Sequence, residues 1–288
     1  MGQPYPWRVL PLPRFRRGAR LRLRSGLLVA LLAFIALTVL AVGGYGVITH
    51  ANRPIPPSAD QVMQDTAHTA ATMTSASATF TTEVSGMTVM FGTVRERVTP
   101  TSLAMLSMTS VDGVARFAMT EVVTRSIVYV RMPSLAAANG KPWIGVPVAE
   151  LGAYPPMAQL YQTAALPTAE AALIGTASTE RMTGTTTMKG VKVSRYVGSI
   201  DPATALTDLA PDLRRLLAPE LSATTGTISF TAWIDAQHNL RKIQTSAIIG
   251  GQLTVTTVVV TAVNRVLHIA VPESGQVVAV PHQSPAAG

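Results

Sequence analysis

The chain has 288 residues, of which 48% are hydrophobic and only 13% charged, with a formal net charge of +8 and no cysteine. The absence of cysteine excludes disulfides, thiolate metal sites and cysteine nucleophiles together. Seven arginines (Arg8, Arg14, Arg16, Arg17, Arg20, Arg22 and Arg24) stand in residues 1–25 without an acid and leave +1 for the rest, so the high pI belongs to this leader rather than to a nucleic-acid surface.

Gly26 to Ile48 follows as a run free of charged residues. As a helix it would be about 34 Å long, enough for a hydrocarbon core of ~30 Å. With the arginines held on the cytoplasmic side, residues 1–25 form a basic cytoplasmic leader. Residues 26–48 are then a single transmembrane helix, and the remainder is extracytoplasmic. A cleaved signal peptide is the competing expectation, but its apolar core is usually only ~7–15 residues long. Lipidation through a cysteine thioether is excluded because there is no cysteine.

Residues 49–57 carry Pro54, Pro56 and Pro57 and predict an extended stalk. The main domain spans 58–280, with a flexible tail over 281–288. Ser58 with Gln61 three residues on is a capping-box pattern, and Val62, Met63, Thr66, Ala70 and Met73 recur at helical intervals. One amphipathic helix over Ala59–Thr74 is therefore expected. Five strands follow in the Thr-, Val- and Met-rich stretch: Ser77–Ser85, Met87–Thr99, Ser102–Ser110, Ala115–Val123 and Ser126–Met132. Short joins such as Asp112-Gly113 predict an antiparallel meander.

Residues 133–147 read as an irregular crossing. Ala149–Tyr154, Met157–Ala165 and Thr168–Ile174 read as short helical pieces separated by prolines. A hairpin over Met182–Ile200 turns at Lys189-Gly190, and Pro202–Leu217 returns to helix with an apolar stripe of Leu206, Leu209, Leu213, Leu216 and Leu217. Thr227–Asp235, Leu240–Ile249 and Leu253–Val263 close the chain as long strands, with Gly250-Gly251 as a turn. A last short strand is expected at Leu267–Val271, and the segment after Pro272 is expected to fray.

An antiparallel sheet of about ten strands has to curl or close, and helices must cover one of its faces. The fold class expected is α+β: a strongly curved antiparallel half-barrel sheet, short helices over its concave face, and one transmembrane helix before it.

Several local patterns resemble the LppX/LprG-type lipoproteins of the LolA-like superfamily. The residues are Val128-Tyr129-Val130-Arg131-Met132-Pro133 with Gly140-Lys141-Pro142-Trp143-Ile144, then Gly190-Val191-Lys192-Val193-Ser194-Arg195-Tyr196 leading to Asp201. They continue with Trp233-Ile234-Asp235, Asn239-Leu240-Arg241-Lys242-Ile243 and the closing Ile269-Ala270-Val271-Pro272. The resemblance covers about residues 59–280. It implies a half-barrel with a helical lid over a hydrophobic cavity, and membrane lipids or glycolipids as partners. The chain departs from the pattern in lacking the lipobox cysteine. Asn239 also stands where the family often has glycine, which Asn tolerates because it enters the left-handed region comparatively well.

The residues give no sign of an enzyme. His50, His68, His238, His268 and His282 form no metal-type pair, the carboxylates are scattered, and neither nucleophile elbows nor phosphate loops occur. No cofactor, no metal and no nucleic-acid partner is expected. The twelve methionines against 5% aromatics suggest a plastic apolar lining. Candidate cavity residues are Met90, Phe91, Met105, Phe117, Met119 and Tyr129 on the strands, and Met157, Leu160 and Tyr161 on the lid. The inward phase of each strand is left open. The function expected is a membrane-tethered extracytoplasmic domain that binds lipid or another amphiphile. The alternative is an envelope sensor module that binds another membrane protein.

Overall fold

The computed structural model describes residues 57–98, 103–112, 115–133, 140–148, 150 and 166–279. The leader, the 26–48 run, the stalk up to residue 56, the helical pieces expected at Ala149–Tyr154 and Met157–Ala165, and the tail over 281–288 lie outside the described residues. Among those described, no helix is long and apolar enough to cross a membrane.

Helix α1 (Ala59–Ala71) starts where the Ser58 hydroxyl accepts from the Gln61 N–H at 3.2 Å. It buries Val62, Met63, Thr66 and Ala70, the stripe that the periodicity predicts. The meander follows as β1 (Ser75–Val84), β2 (Met87–Arg97), β3 (Leu103–Asp112), β4 (Ala115–Val123) and β5 (Ile127–Arg131). The expected crossing contains a further strand, β6 (Trp143–Pro147), which pairs antiparallel with β5. Helix α2 (Leu166–Ile174), β7 (Thr179–Met188) and β8 (Val191–Ile200) come next.

The single helix expected over Pro202–Leu217 is two: α3 (Pro202–Asp208) and α4 (Pro211–Ala223). Asp201 caps α3, accepting from the Thr204 N–H at 2.7 Å. Pro211 forces Ala210 into an extended conformation (ψ 147), so α3 cannot run into α4. Strands β9 (Thr224–Asp235), β10 (Leu240–Ile249) and β11 (Gln252–Val263) follow.

Among the described residues all the strands belong to one curved sheet in the order β12-β6-β5-β4-β3-β2-β1-β11-β10-β9-β8-β7, twelve strands where about ten were expected. The turns at Ser85-Gly86, Lys189-Gly190 and Gly250-Gly251 have positive φ at both residues, the geometry that suits two-residue hairpins of twisted strands. Each pairing is antiparallel except β12 (Val277–Ala279) on β6. That last strand corrects two expectations. Residues 267–271 form no strand, and the segment after Pro272 does not simply fray: it reaches the sheet edge, where the Lys141 ammonium donates to the Val277 carbonyl at 3.1 Å. A backbone edge offers hydrogen bonds that no side-chain pattern announces.

The helices pack on one face, called inner here. Ala76, Ala78 and Phe80 of β1, Met90 and Val94 of β2, Leu106 and Met108 of β3, and Val128 and Val130 of β5 join helix residues such as Leu173 and Leu217 in the main core. The opposite, outer face carries a smaller apolar patch. There the segment after β11 lays Ile269 over Leu103 and Val122, flanked by Met105, Tyr129 and Trp143.

Candidate functional site

Strand register settles the phase that the sequence left open. Residues directly opposite in a ladder share a face. Met90 and Met119 belong to the inner face, and Phe117 joins them, two residues before Met119 and opposite Ser110. Met90 is fully buried, Met119 is half-buried and Phe117 is 51% exposed. Phe91, Met105 and Tyr129 point to the other face. Phe91 is exposed there, and Met105 and Tyr129 flank the patch under Ile269. Met157, Leu160 and Tyr161 lie outside the described residues. Of the six described candidates, three share the inner face and three the outer.

The inner face also holds carboxyls that sequence reasoning missed. Glu121 sits between Leu106 and Val130, and neither of its oxygens has a hydrogen-bond partner. Burial pushes its pKa from 4.5 up to about 8. On β2, two strands away, Glu96 also turns inward, while Arg95 projects outward and stays exposed. Strand alternation is the signal that could have found both acids: each falls in phase with buried apolar residues.

Further along, Glu170 of α2 and Glu220 of α4 line a cavity of about 20 Å³ with Thr245, Thr254, Thr256 and apolar neighbours. Burial holds both carboxyls well above the usual range, and for Glu220 the charge of Glu170 adds to it. The space fits about one water molecule. Glu170 is 1% exposed and Glu220 half-buried, so the pair lies at the inner end of this small space. Among the described residues no group of three or more His, Asp or Glu could hold a metal ion.

A much larger cavity, about 670 Å³, opens on the outer face of β2–β5. Two cross-strand rows of outward side chains build it, and Gly92, Met108 and Met119 between them complete its lining. One row is Thr93, Ser107, Thr120 and Arg131; the other is Phe91, Thr109 and Ala118, with Pro133 beyond them. The Arg131 guanidinium lies over the Trp143 ring, 5.3 Å from its centre. In sequence these residues look like ordinary solvent-facing alternation, and only the register aligns their hydroxyls.

The hairpin motif Trp233-Ile234-Asp235 … Asn239-Leu240-Arg241 has a structural role. Buried Asp235 accepts from the N–H groups of Gln237 and Asn239 (2.9 Å each), from the Asn239 amide (2.7 Å) and from Arg241 Nε (2.8 Å). Arg241 adds an ion pair at 2.7 Å. The turn residue with positive φ is His238 (φ 59) and not Asn239, whose amide is needed on Asp235. His238 also lies 3.5 Å from Asp65 of α1 and ties that helix to the turn. On the outer face, Arg195 and Lys242 stack over Trp233.

No protein-family model matches the chain, and no curated protein does. Among solved structures it is similar to LprF from Mycobacterium bovis, at 14% identity over 74% of this chain and 96% of that one, with a TM-score of 0.47. It is also similar to the Mycobacterium tuberculosis lipoprotein LppX, at 16% identity over 74% and 97%, with a TM-score of 0.45. A LolA superfamily protein from Nitrosomonas europaea matches at 7% identity over 74% and 96%, with a TM-score of 0.29. At these scores function has to be argued from the chain's own residues.

Proposed function

We propose that the domain binds a lipid or another amphiphile by its acyl chain along the inner face of β4–β6. The apolar run 26–48 would tether it to the membrane that supplies the ligand. One observation carries this. The inner apolar surface grades from closed at Met90 and Leu106, through half-buried Met119, Met132 and Ile144, to Phe117, which is 51% exposed. Covering that open end with an acyl chain is favourable by ~0.8 kcal/mol per methylene relative to water. Relative to a membrane interior the gain is close to zero, so loading and release need no energy source. Glu121 keeps its proton at neutral pH because burial raises its pKa to about 8, so it adds no charge to the lining. Methionine suits such a surface because it adapts to chains of different shape.

The test is photolabelling of the full-length protein in vesicles containing a phospholipid with a photoreactive acyl chain, followed by peptide mapping. Label on the peptide spanning Arg116–Arg131, and its loss in Phe117→Asp, is the expected result. Label restricted to residues 26–48 would refute acyl binding by the domain.

A further inference from the structure

We propose that the outer cavity on β2–β5 is a second binding site and that it takes an anionic saccharide. Its volume of about 670 Å³ falls within the ~300–1,000 Å³ of small-molecule sites. Three observations define the ligand. The first is the hydroxyl row. Thr93, Ser107 and Thr120 stand directly opposite one another on three adjacent strands, and Thr109 stands in the next row. Strands lie about 4.8 Å apart, so the hydroxyls repeat at a spacing close to the length of one hexose unit. Each hydroxyl both donates and accepts, which suits a ligand that is itself covered with hydroxyls.

The second observation is the charge. Arg131 ends the hydroxyl row, and among the described residues that line the cavity none is acidic. Stacking over Trp143 holds the exposed guanidinium in place while leaving its N–H edge for a ligand. Its planar fork matches a carboxylate or phosphate group in bidentate fashion. Arg95 projects from the same face, two residues along β2 from Thr93, and extends the positive potential.

The third observation is the apolar flank. Phe91 is 38% exposed beside Thr109 and Ala118, and Pro133 lines the far side. One aromatic ring and two small apolar surfaces suit the C–H face of a sugar ring. A nucleic-acid strand would need several stacking rings. The side chains of the acyl site project from the opposite face of the sheet, and Met119 contributes to the lining of both. The domain would then touch an acidic glycan on one side while handling an amphiphile on the other.

The test is calorimetric titration of the full-length protein in nanodiscs with tetragalacturonate, with a phosphorylated tetramannoside and with neutral maltotetraose. Saturable binding of either acidic sugar, at least tenfold tighter than the neutral one, is expected, and the better of the two identifies the charged group. Arg131→Gln should weaken that binding tenfold or more, and Thr120→Val several-fold. Arg125→Gln, in the turn outside the cavity, should leave it unchanged. The Thr120 variant keeps the test decisive if loss of the Arg131–Trp143 stack disturbs folding. Absence of saturable binding to both acidic sugars, equal affinity for maltotetraose, or unchanged affinity in both the Arg131 and Thr120 variants would overturn the proposal.

Discussion

Replacing Glu121 by Gln should stabilise the domain in a strictly pH-dependent way. The folded carboxyl titrates at about 8 and the unfolded one near 4.5, because burial between Leu106 and Val130 penalises the charged form. Below the unfolded value both states are protonated, and the native protein pays no penalty. As pH rises, the unfolded chain releases its proton while the native chain retains it, so stability falls by about 1.4 kcal/mol for each pH unit. The loss reaches roughly 3 kcal/mol at neutral pH and on the order of 5 kcal/mol near pH 8, then levels off. Gln has nearly the same shape and cannot ionise, so the two proteins should be close to equal in acid. The variant should gain these amounts as pH rises. Urea unfolding of residues 57–288, followed by the fluorescence of Trp143 and Trp233 at about pH 4.5, 7 and 8.5, reads the difference directly. Glu170 and Glu220 titrate in both proteins and cancel. A difference flat to within about 0.5 kcal/mol over that range would refute the reasoning. Glu121 would then be solvated or paired.

Asp235→Asn should destabilise the domain by about 3 kcal/mol, because an amide NH₂ would face donors from Asn239 and Arg241 that the carboxylate now accepts. A shift of the urea midpoint at constant slope checks this. Gly92→Ala should cost about 1–3 kcal/mol by overpacking. Its new methyl would lie 2.7 Å from the Phe80 ring and 2.8 Å from the Met108 Cα, and would collide with the Ser107 carbonyl oxygen. Thermal unfolding measures that loss. A Phe80→Leu change in the same background should recover part of it.

Local order was legible along the chain wherever a signal acts within a few residues. The Ser58 cap, the α1 stripe and the Lys189-Gly190 and Gly250-Gly251 turns follow from short-range backbone chemistry, and each stands where periodicity and turn residues put it. Pro211 was equally local, yet the helix expected across it is broken, since leucine spacing outweighed the restriction that proline places on Ala210. The resemblance motif at Asp235 marked a hairpin, but its hydrogen-bond hub needed coordinates to be seen.

Composition and pattern alone determined that this chain is an α+β protein with a large, mostly antiparallel sheet. They did so because strand alternation, turn chemistry and helical stripes are properties of neighbouring residues. Only the tertiary structure decided which face each strand residue occupies, and it divided Met90, Phe117 and Met119 from Phe91, Met105 and Tyr129. A one-residue change of register exchanges the two faces, and register depends on partners far away in sequence. For the same reason the Thr93–Ser107–Thr120–Arg131 row and the meeting of Glu170 with Glu220 exist only in the folded chain. Each is assembled from strands or helices that the sequence keeps apart.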